Sequence, residues 1–194
     1  SSGLVPFVAG SSGTQMGGWF NKEINSAADL KGLKMRIPGI GGEALERAGG
    51  TPVTVPGSEV FTALQSGVVD AAEWVGPWND LALGLYQAAK YYYYPGWQEP
   101  GSALECLVNA KAWATLPADL QAIVRIACQA ITTDMQSEFE AANGSSLKTL
   151  IKDHNVQLRA FPDDVLAELR RHCFDIIEEL AADDEMFRET WYSF

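Results

Sequence analysis

The sequence predicts an α/β fold, and three observations lead to this prediction. Over roughly the first 110 residues, short segments of strand type alternate with short segments of helical type. From Pro117 onward, helical periodicity dominates the chain instead. Hydrophobic residues make up 47% of the 194 positions, which is enough to give one large domain or two small lobes a buried core.

The strand-type segments are recognised by alternating apolar residues and by the turn residues that end them. In 33–37, three apolar residues alternate with Lys34 and Arg36, and Pro38 ends the segment. The predicted strands lie at 4–8, 33–37, 52–55, 68–75, 91–94, 103–108 and 156–158. The predicted helices of the first part lie at 26–30, 43–48, 58–65 and 78–89, with Ser26 and Ser58 as N-caps.

The C-terminal part is predicted to consist of two long helices. Pro117 opens the first, which is expected to reach residue 151 with a bend at 144–146. Its apolar face consists of Leu120, Ile123, Val124, Ala127, Ile131, Met135 and Phe139. Pro162 opens the last helix, whose apolar positions run from Leu166 to Leu180. Aromatic side chains then crowd residues 186–194, which predicts docking within the chain or onto a second subunit.

Charge and composition exclude several classes of partner. The formal net charge of −11 argues against binding to the nucleic-acid backbone and to anionic membrane surfaces. Three widely spaced cysteines form no disulfide framework and no CxxC pair, so they are expected to be small core residues. His154 and His172 lie far apart in charged helical contexts, which is typical of surface histidines.

Arg36 is the candidate site for binding an anion. It ends a predicted strand just before a glycine-rich start of a helix, and both the guanidinium fork and free helical N–H groups attract carboxylates. The alternative is an ordinary arginine paired with a nearby acid. The glycines do not have the spacing of a dinucleotide-binding fingerprint.

Glu73 is the candidate cation ligand. It follows an apolar strand, and a carboxylate there is costly to bury unless it is paired or coordinates a cation. Gln15 and Glu99 offer further oxygens, and an oxygen-only set suits sodium, calcium or magnesium. The alternative is an acid at a sheet edge in water. Trp74 and Trp78 are candidate walls of a pocket, although aromatics of this kind usually belong to the core.

Signatures of catalysis are missing from the sequence. It contains no GxSxG, P-loop or HExxH motif and no plausible Cys–His couple. A hydrolase that uses Glu73 and Glu99 as paired carboxylates stays open as an alternative. Otherwise the residues favour a protein that binds a small anion without changing it.

Four motifs, taken in order, resemble the TRAP-transporter solute-binding proteins, in the branch that binds 2-oxo acids and lactate. They are GTQMGGWF at 13–20, LKMRIPG at 33–39, EWVGP at 73–77 and YYYPGW at 92–97. The resemblance implies that Arg36 pairs with the carboxylate of the ligand. It further implies that Gln15, Glu73, the Trp74 carbonyl and Glu99 surround a sodium or calcium ion that bridges protein and ligand. Gln15, Trp74 and Trp78 are expected to contact the ligand as well.

The resemblance also implies an architecture of two α/β lobes of the periplasmic-binding-protein type, joined by strands and a long helix. In that architecture 1–72 belongs mainly to one lobe, 73–116 forms crossover strands, and 117–194 holds the long helix and the C-terminal helix. The chain is expected to correspond to the C-terminal portion of such a receptor, without the first elements of the family fold. The resemblance implies that the chain is located in the periplasm. The implied partners are a membrane permease and a second copy of the chain, bound through the C-terminal helix. The alternative is a two-lobe sensor domain of a signalling protein.

Overall fold

A computed structural model of the protein describes residues 3–193. The strands are β1 Leu4–Ser11, β2 Gly18–Phe20, β3 Lys34–Arg36, β4 Thr51–Val53, β5 Ala71–Ala72, β6 Tyr91–Tyr94, β7 Ala103–Asn109 and β8 Gln157–Ala160. The helices are α1 Gly39–Arg47, α2 Val60–Gln65, α3 Pro77–Leu83, α4 Ala110–Thr115, α5 Ala118–Asp153, α6 Asp163–Asp183 and α7 Glu185–Trp191. Short 3-10 helices occupy Ala27–Leu30, Gly57–Glu59 and Leu85–Gln87.

Six strands form the main sheet in the order β4-β3-β5-β2-β6-β8. β3 runs parallel to β4 and β5, β2 runs antiparallel to β5 and β6, and β6 runs parallel to β8. Two groups of buried apolar residues pack on this sheet, one with Phe20, Met35 and Leu169 and the other with Trp19 and Leu64. The predicted α/β class is therefore confirmed.

The remaining two strands, β1 and β7, form a separate antiparallel pair. The long helix α5 packs against β1 and also against α3, which connects this pair to the main sheet. α5 runs without interruption over 36 residues, including 144–146 where the sequence predicts a bend. Its predicted apolar face is only partly buried: Ile123 is 61% exposed, because a two-stranded sheet is too narrow to cover a helix of this length.

Two predicted elements near the main sheet are shorter in the structure. The strand expected over 68–75 is reduced to Ala71–Ala72, because its neighbours β2 and β3 are only three residues long and offer few ladder partners. The helix expected over 78–89 ends at Gly84, whose φ of 75° lies in the left-handed region and stops the helix. α1 begins at Gly39, so the glycine-rich segment forms the first turn of the helix itself.

The C-terminal segment folds back on the chain. Trp191 Nε1 and Tyr192 Oη donate hydrogen bonds to the two carboxylate oxygens of Glu178, at 3.0 and 2.8 Å, and α7 therefore rests on α6. Docking within the chain is thus confirmed for these two aromatics, whereas Phe194 lies outside the described residues. None of the helices in 3–193 is both long and apolar enough to cross a membrane.

The prediction of a surface position is wrong for His172, which is only 8% exposed. It lies on the face of α6 that packs inward, and its Nε2 is 3.1 Å from the Glu168 carboxylate. His154 is exposed as predicted and stacks on Tyr86. Of the cysteines, Cys128 is buried and the other two are partly buried.

Candidate functional site

Arg36 and Glu73 meet at one edge of the main sheet. Arg36 is the last residue of β3, and Glu73 follows directly after β5, the parallel neighbour of β3. The Glu73 N–H donates to the Arg36 carbonyl at 3.1 Å, which extends the ladder by one bond. Because parallel strands end at the same edge, both side chains emerge together there. The two residues that the sequence singles out thus lie next to each other, and their roles in a site stay predictions.

The Arg36 guanidinium points into the protein rather than into bulk solvent. Its side chain is 16% exposed, and its Nη1 forms an ion pair with the Glu73 carboxylate. The same Nη1 donates to the Glu73 carbonyl at 3.0 Å, and Nε donates to the Val55 carbonyl at 3.4 Å. These main-chain bonds hold the guanidinium at the sheet edge independently of the ion pair.

Glu73 is a buried carboxylate whose charge is incompletely compensated. Its side chain is 4% exposed. Burial raises its pKa to about 7; the Arg36 charge opposes this rise, whereas the Glu99 and Asp80 charges add to it. A carboxylate with a pKa this close to neutrality gains from a further positive charge at physiological pH.

Trp74 forms one wall beside this ion pair. The Arg36 guanidinium carbon lies 5.5 Å from the centroid of the Trp74 ring, within the range of a cation–π contact. The edge of the six-membered ring of the indole packs onto Gly57, where an added Cβ would come within 2.6 Å of the ring. The absence of a side chain at 57 therefore lets the ring lie close to the guanidinium.

Gln15 is buried nearby and is joined to Glu99 through a serine. The Gln15 Nε2 donates to Ser12 Oγ and to Ser102 Oγ, at 3.0 and 2.9 Å, and Ser102 Oγ in turn donates to the Glu99 carboxylate. The Gln15 Oε1 is buried and has no hydrogen-bond partner in the described part of the chain. A buried carbonyl oxygen without a donor is the kind of atom that a ligand or a cation satisfies.

A cavity of about 280 Å³ opens beside the ion pair, between the first turn of α1 and the loop after β6. It is lined by Glu73, Gln98, Glu99 and the segment from Pro38 to Gly41. Gln98 was not singled out from the sequence, although its neighbour Glu99 was. Its Nε2 donates to the Met16 carbonyl at 3.1 Å, and its Oε1 is a second buried oxygen without a partner in 3–193.

The structure brings Arg36, Glu73, Trp74 and Glu99 together, whereas Trp78 lies further along α3. Its backbone N–H donates to Asn143 Oδ1 at 3.1 Å, and its ring packs edge-on against Phe139, with centroids 5.0 Å apart. These contacts connect Trp78 to α5. A contact between Trp78 and a ligand stays a prediction.

Asp80 is a second buried acid that sequence analysis missed. It is 1% exposed and accepts three hydrogen bonds: from Trp19 Nε1 at 2.8 Å, from Tyr92 Oη at 2.7 Å and from the Val75 N–H at 3.2 Å. Burial raises its pKa to about 6, against the lowering effect of these donors. The bond to Val75 fixes the turn that carries Glu73 and Trp74. In the sequence, the pair Gly76-Pro77 signals the start of a helix, and this start places Asp80 in the first turn.

The donor set fits a hard cation. Within residues 3–193 no group of three or more His, Cys, Asp or Glu side chains is arranged to hold a metal by itself. The cavity lining instead combines two carboxylates, Glu73 and Glu99, with Gln98. Gln15, which is joined to Glu99 through Ser102, carries a further amide oxygen without a partner in the described residues. Oxygen sets of this kind suit sodium or calcium and do not suit the softer transition metals.

An α/β fold with a small cavity at a sheet edge, apolar over most of its lining but with two carboxylates and an amide, defines a protein that can hold a small charged solute. The chain belongs to the bacterial extracellular solute-binding protein family 7 (DctP), which matches residues 3–184. The predicted resemblance to the TRAP solute-binding proteins is thus confirmed at the level of the family.

Individual relatives are similar over nearly the whole of this chain. A monocarboxylate 2-oxoacid-binding periplasmic protein from Nostoc is 45% identical over 98% of this chain and 53% of its own length. A TRAP periplasmic solute-binding protein from Colwellia psychrerythraea, solved with calcium and pyruvate, is 48% identical with a TM-score of 0.93, over 98% of this chain and 58% of its own. A second, from Pseudoalteromonas atlantica with sodium and pyruvate, is 46% identical with a TM-score of 0.87, over 96% and 57%. The chain therefore spans little more than half the length of these relatives.

Proposed function

We propose that this chain acts in the substrate-binding subunit of a TRAP transporter. It binds a small 2-oxo or 2-hydroxy monocarboxylate, of the pyruvate or lactate type, together with a sodium or calcium ion. It then delivers the acid to the membrane permease from the periplasm, and no bond of the solute is made or broken. The observation that carries this proposal is the buried Arg36–Glu73 pair, which lies beside a cavity that Gln98 and Glu99 also line.

A count of charges explains why anion and cation would bind together. Arg36 supplies one positive charge, against one negative charge each on Glu73 and Glu99. An organic carboxylate alone would add a third negative charge to a partly buried site, which is costly. A bound cation supplies the compensating positive charge. The geometry thus favours an anion whose affinity depends on the cation.

The residues of the site divide this work between them. Arg36 keeps its bonds to the Glu73 and Val55 carbonyls and turns its remaining guanidinium N–H groups toward the carboxylate of the ligand. Gln15, Glu73, Glu99 and the Trp74 carbonyl are the proposed cation ligands. Trp74 and Trp78 are the proposed apolar walls, and Gln15 contacts the ligand as well.

The proposed architecture has two lobes that close on the solute, which expels water and strengthens each charged contact. Residues 1–72 would belong mainly to one lobe, 73–116 to crossover strands, and 117–194 to the long helix and the C-terminal helix. The exposed Met186 and Tyr192 on or next to α7 support a homodimer through this helix as part of the proposal.

Thermal-shift measurements on the purified chain test the proposal directly. Pyruvate and lactate are added with and without sodium or calcium, and we expect a larger upward shift when acid and cation are both present than with the acid alone. Arg36→Lys loses the planar fork and should weaken binding by about 1.5–3 kcal/mol, or roughly 10- to 150-fold. Arg159→Lys, a half-exposed arginine on β8, is the matched control. An unchanged shift in Arg36→Lys, or no shift with the unaltered chain, would contradict the proposal.

A further inference from the structure

The Gln15 side chain has a hydrogen-bonding arrangement that its own burial does not explain. It is 3% exposed, with both its amide hydrogens directed at serine hydroxyls and its carbonyl oxygen left without a partner in the described residues. A primary amide can turn by half a rotation, which exchanges its oxygen and its NH₂ group. The orientation that is adopted therefore depends on what the two serines can offer.

Both serines offer only lone pairs to Gln15. The Ser12 hydroxyl donates its single hydrogen to the Gly13 carbonyl at 3.3 Å and also accepts from the Ser102 N–H at 2.9 Å. The Ser102 hydroxyl donates its hydrogen to the Glu99 carboxylate, which is a strong acceptor. Because neither hydroxyl has a second hydrogen, a Gln15 oxygen turned toward them would meet acceptors only.

We propose that Ser12, Ser102 and Glu99 form an orienting relay, which keeps the Gln15 carbonyl oxygen directed away from the serines as a cation ligand. This inference rests on the proposed function, because it assigns the relay to the cation site of that function. Ser12 and Ser102 are positioning residues in this arrangement, since they act on the cation only through Gln15.

The relay also gives Glu99 a role that differs from that of Glu73. One Glu99 oxygen holds the Ser102 hydroxyl hydrogen, so the exposed carboxylate fixes the orientation of a buried amide two hydrogen bonds away. Its other oxygen stays available to the cation. Glu73, by contrast, is buried and pairs with Arg36.

Ser102→Ala tests the relay. The alanine removes one acceptor of the Gln15 NH₂ group, so the amide is no longer held in one orientation. We therefore expect calcium affinity in the presence of pyruvate to fall about tenfold, as is usual when a residue that hydrogen-bonds to a metal ligand is removed. Pyruvate affinity without cation should not change. Ser102→Thr keeps the hydroxyl and should keep most of the calcium affinity. Ser66→Ala, at an exposed serine that caps the C-terminus of α2, is the matched control. Calcium and pyruvate titrations by calorimetry, together with melting curves in cation-free buffer, provide the readouts.

The outcomes separate this inference from the proposed function. If the unaltered chain shows no cation-linked binding of pyruvate, the proposed function fails. If it does, but Ser102→Ala binds calcium as well as the unaltered chain, the relay is refuted. If Ser102→Ala weakens pyruvate binding equally with and without calcium, the variant is merely less stable, and this result would also refute the relay. Ser12→Ala removes the other acceptor and carries the same expectation should Ser102→Ala fail to fold.

Discussion

Two acids seven positions apart, Glu73 and Asp80, are both buried and both have raised pKa values, yet their surroundings differ. Asp80 accepts hydrogen bonds from Trp19, Tyr92 and Val75, all of them uncharged donors that belong to the fold itself. Glu73 faces Arg36, a second carboxylate and a cavity that is also lined by Gln98, whose amide oxygen has no partner in the described residues. Burial alone therefore does not distinguish a structural acid from a functional one.

The completeness of the partner set is what distinguishes them. The surroundings of Asp80 satisfy it without any ligand, and its bonds tie the turn at Val75 to β2 and β6. At Glu73 the charges and the acceptors remain unbalanced until a further positive charge is present. We infer that Asp80 holds the frame of the site, while Glu73 serves the ligand.

The largest expected effect is on stability, at Asp80. Asp80→Ala leaves the Trp19 N–H, the Tyr92 hydroxyl and the Val75 N–H buried without an acceptor, and we expect the free energy of unfolding to fall by about 3 kcal/mol or more. Asp80→Asn keeps one acceptor oxygen and should lose about half as much. Urea denaturation measures both, with Asp134→Asn on the exposed side of α5 as control. An Asp80→Ala protein as stable as this control would contradict the structural assignment.

The next effect concerns binding, at Glu73. Glu73→Gln makes the same chemical change as Asp80→Asn, but it removes the charge of a proposed cation ligand. We expect the cation-linked part of pyruvate affinity to fall by about 1.5–3 kcal/mol, roughly 10- to 150-fold. Asp80→Asn should change the same quantity by less than about threefold, because Val75 can still be held by the remaining oxygen. Calorimetric titration of both variants, with and without calcium, is the measurement. Equal losses in the two variants would remove the distinction between the acids.

The two candidate residues of the Arg36–Glu73 pair could be singled out from the sequence, for a physical reason. Arg36 and Glu73 each end an apolar strand, where a charged side chain is costly to bury unless it is paired, so each could be singled out from its local pattern. That the two meet follows from the parallel pairing of β3 with β5, which the structure supplies. The sequence left two interpretations of Arg36 open, an anion clamp and an arginine paired with a nearby acid. In the structure Arg36 does pair with an acid, Glu73, and the pair lies beside a cavity.

The structural half could not be predicted, because its partners come from distant parts of the chain. Asp80 depends on Trp19, 61 positions away, and Gln15 depends on Ser102, 87 positions away. The local periodicity of apolar residues does not indicate contacts between such distant positions. The same holds for His172, whose burial follows from what packs on α6, and for Ile123, whose exposure follows from the narrow sheet beneath α5. Periodicity shows which face of a helix is apolar but not what covers it.

The smallest expected effect is a pH dependence that sets the two acids apart once more. In the cation-free protein the pKa of Glu73 is raised from an ordinary 4.5 to about 7, and that of Asp80 from 3.8 to about 6. For each acid the folded state binds the proton more tightly, so its contribution to stability is fully present below the ordinary pKa and is lost as pH rises to the raised pKa.

A cation bound to Glu73 requires the ionised carboxylate, so cation affinity should change in the opposite direction and fall about tenfold from pH 8 to pH 6. Calcium titrations in the presence of pyruvate at these pH values measure the slope. It should disappear in Glu73→Gln and persist in Asp80→Asn; a slope that survives in Glu73→Gln would assign the titration to another group.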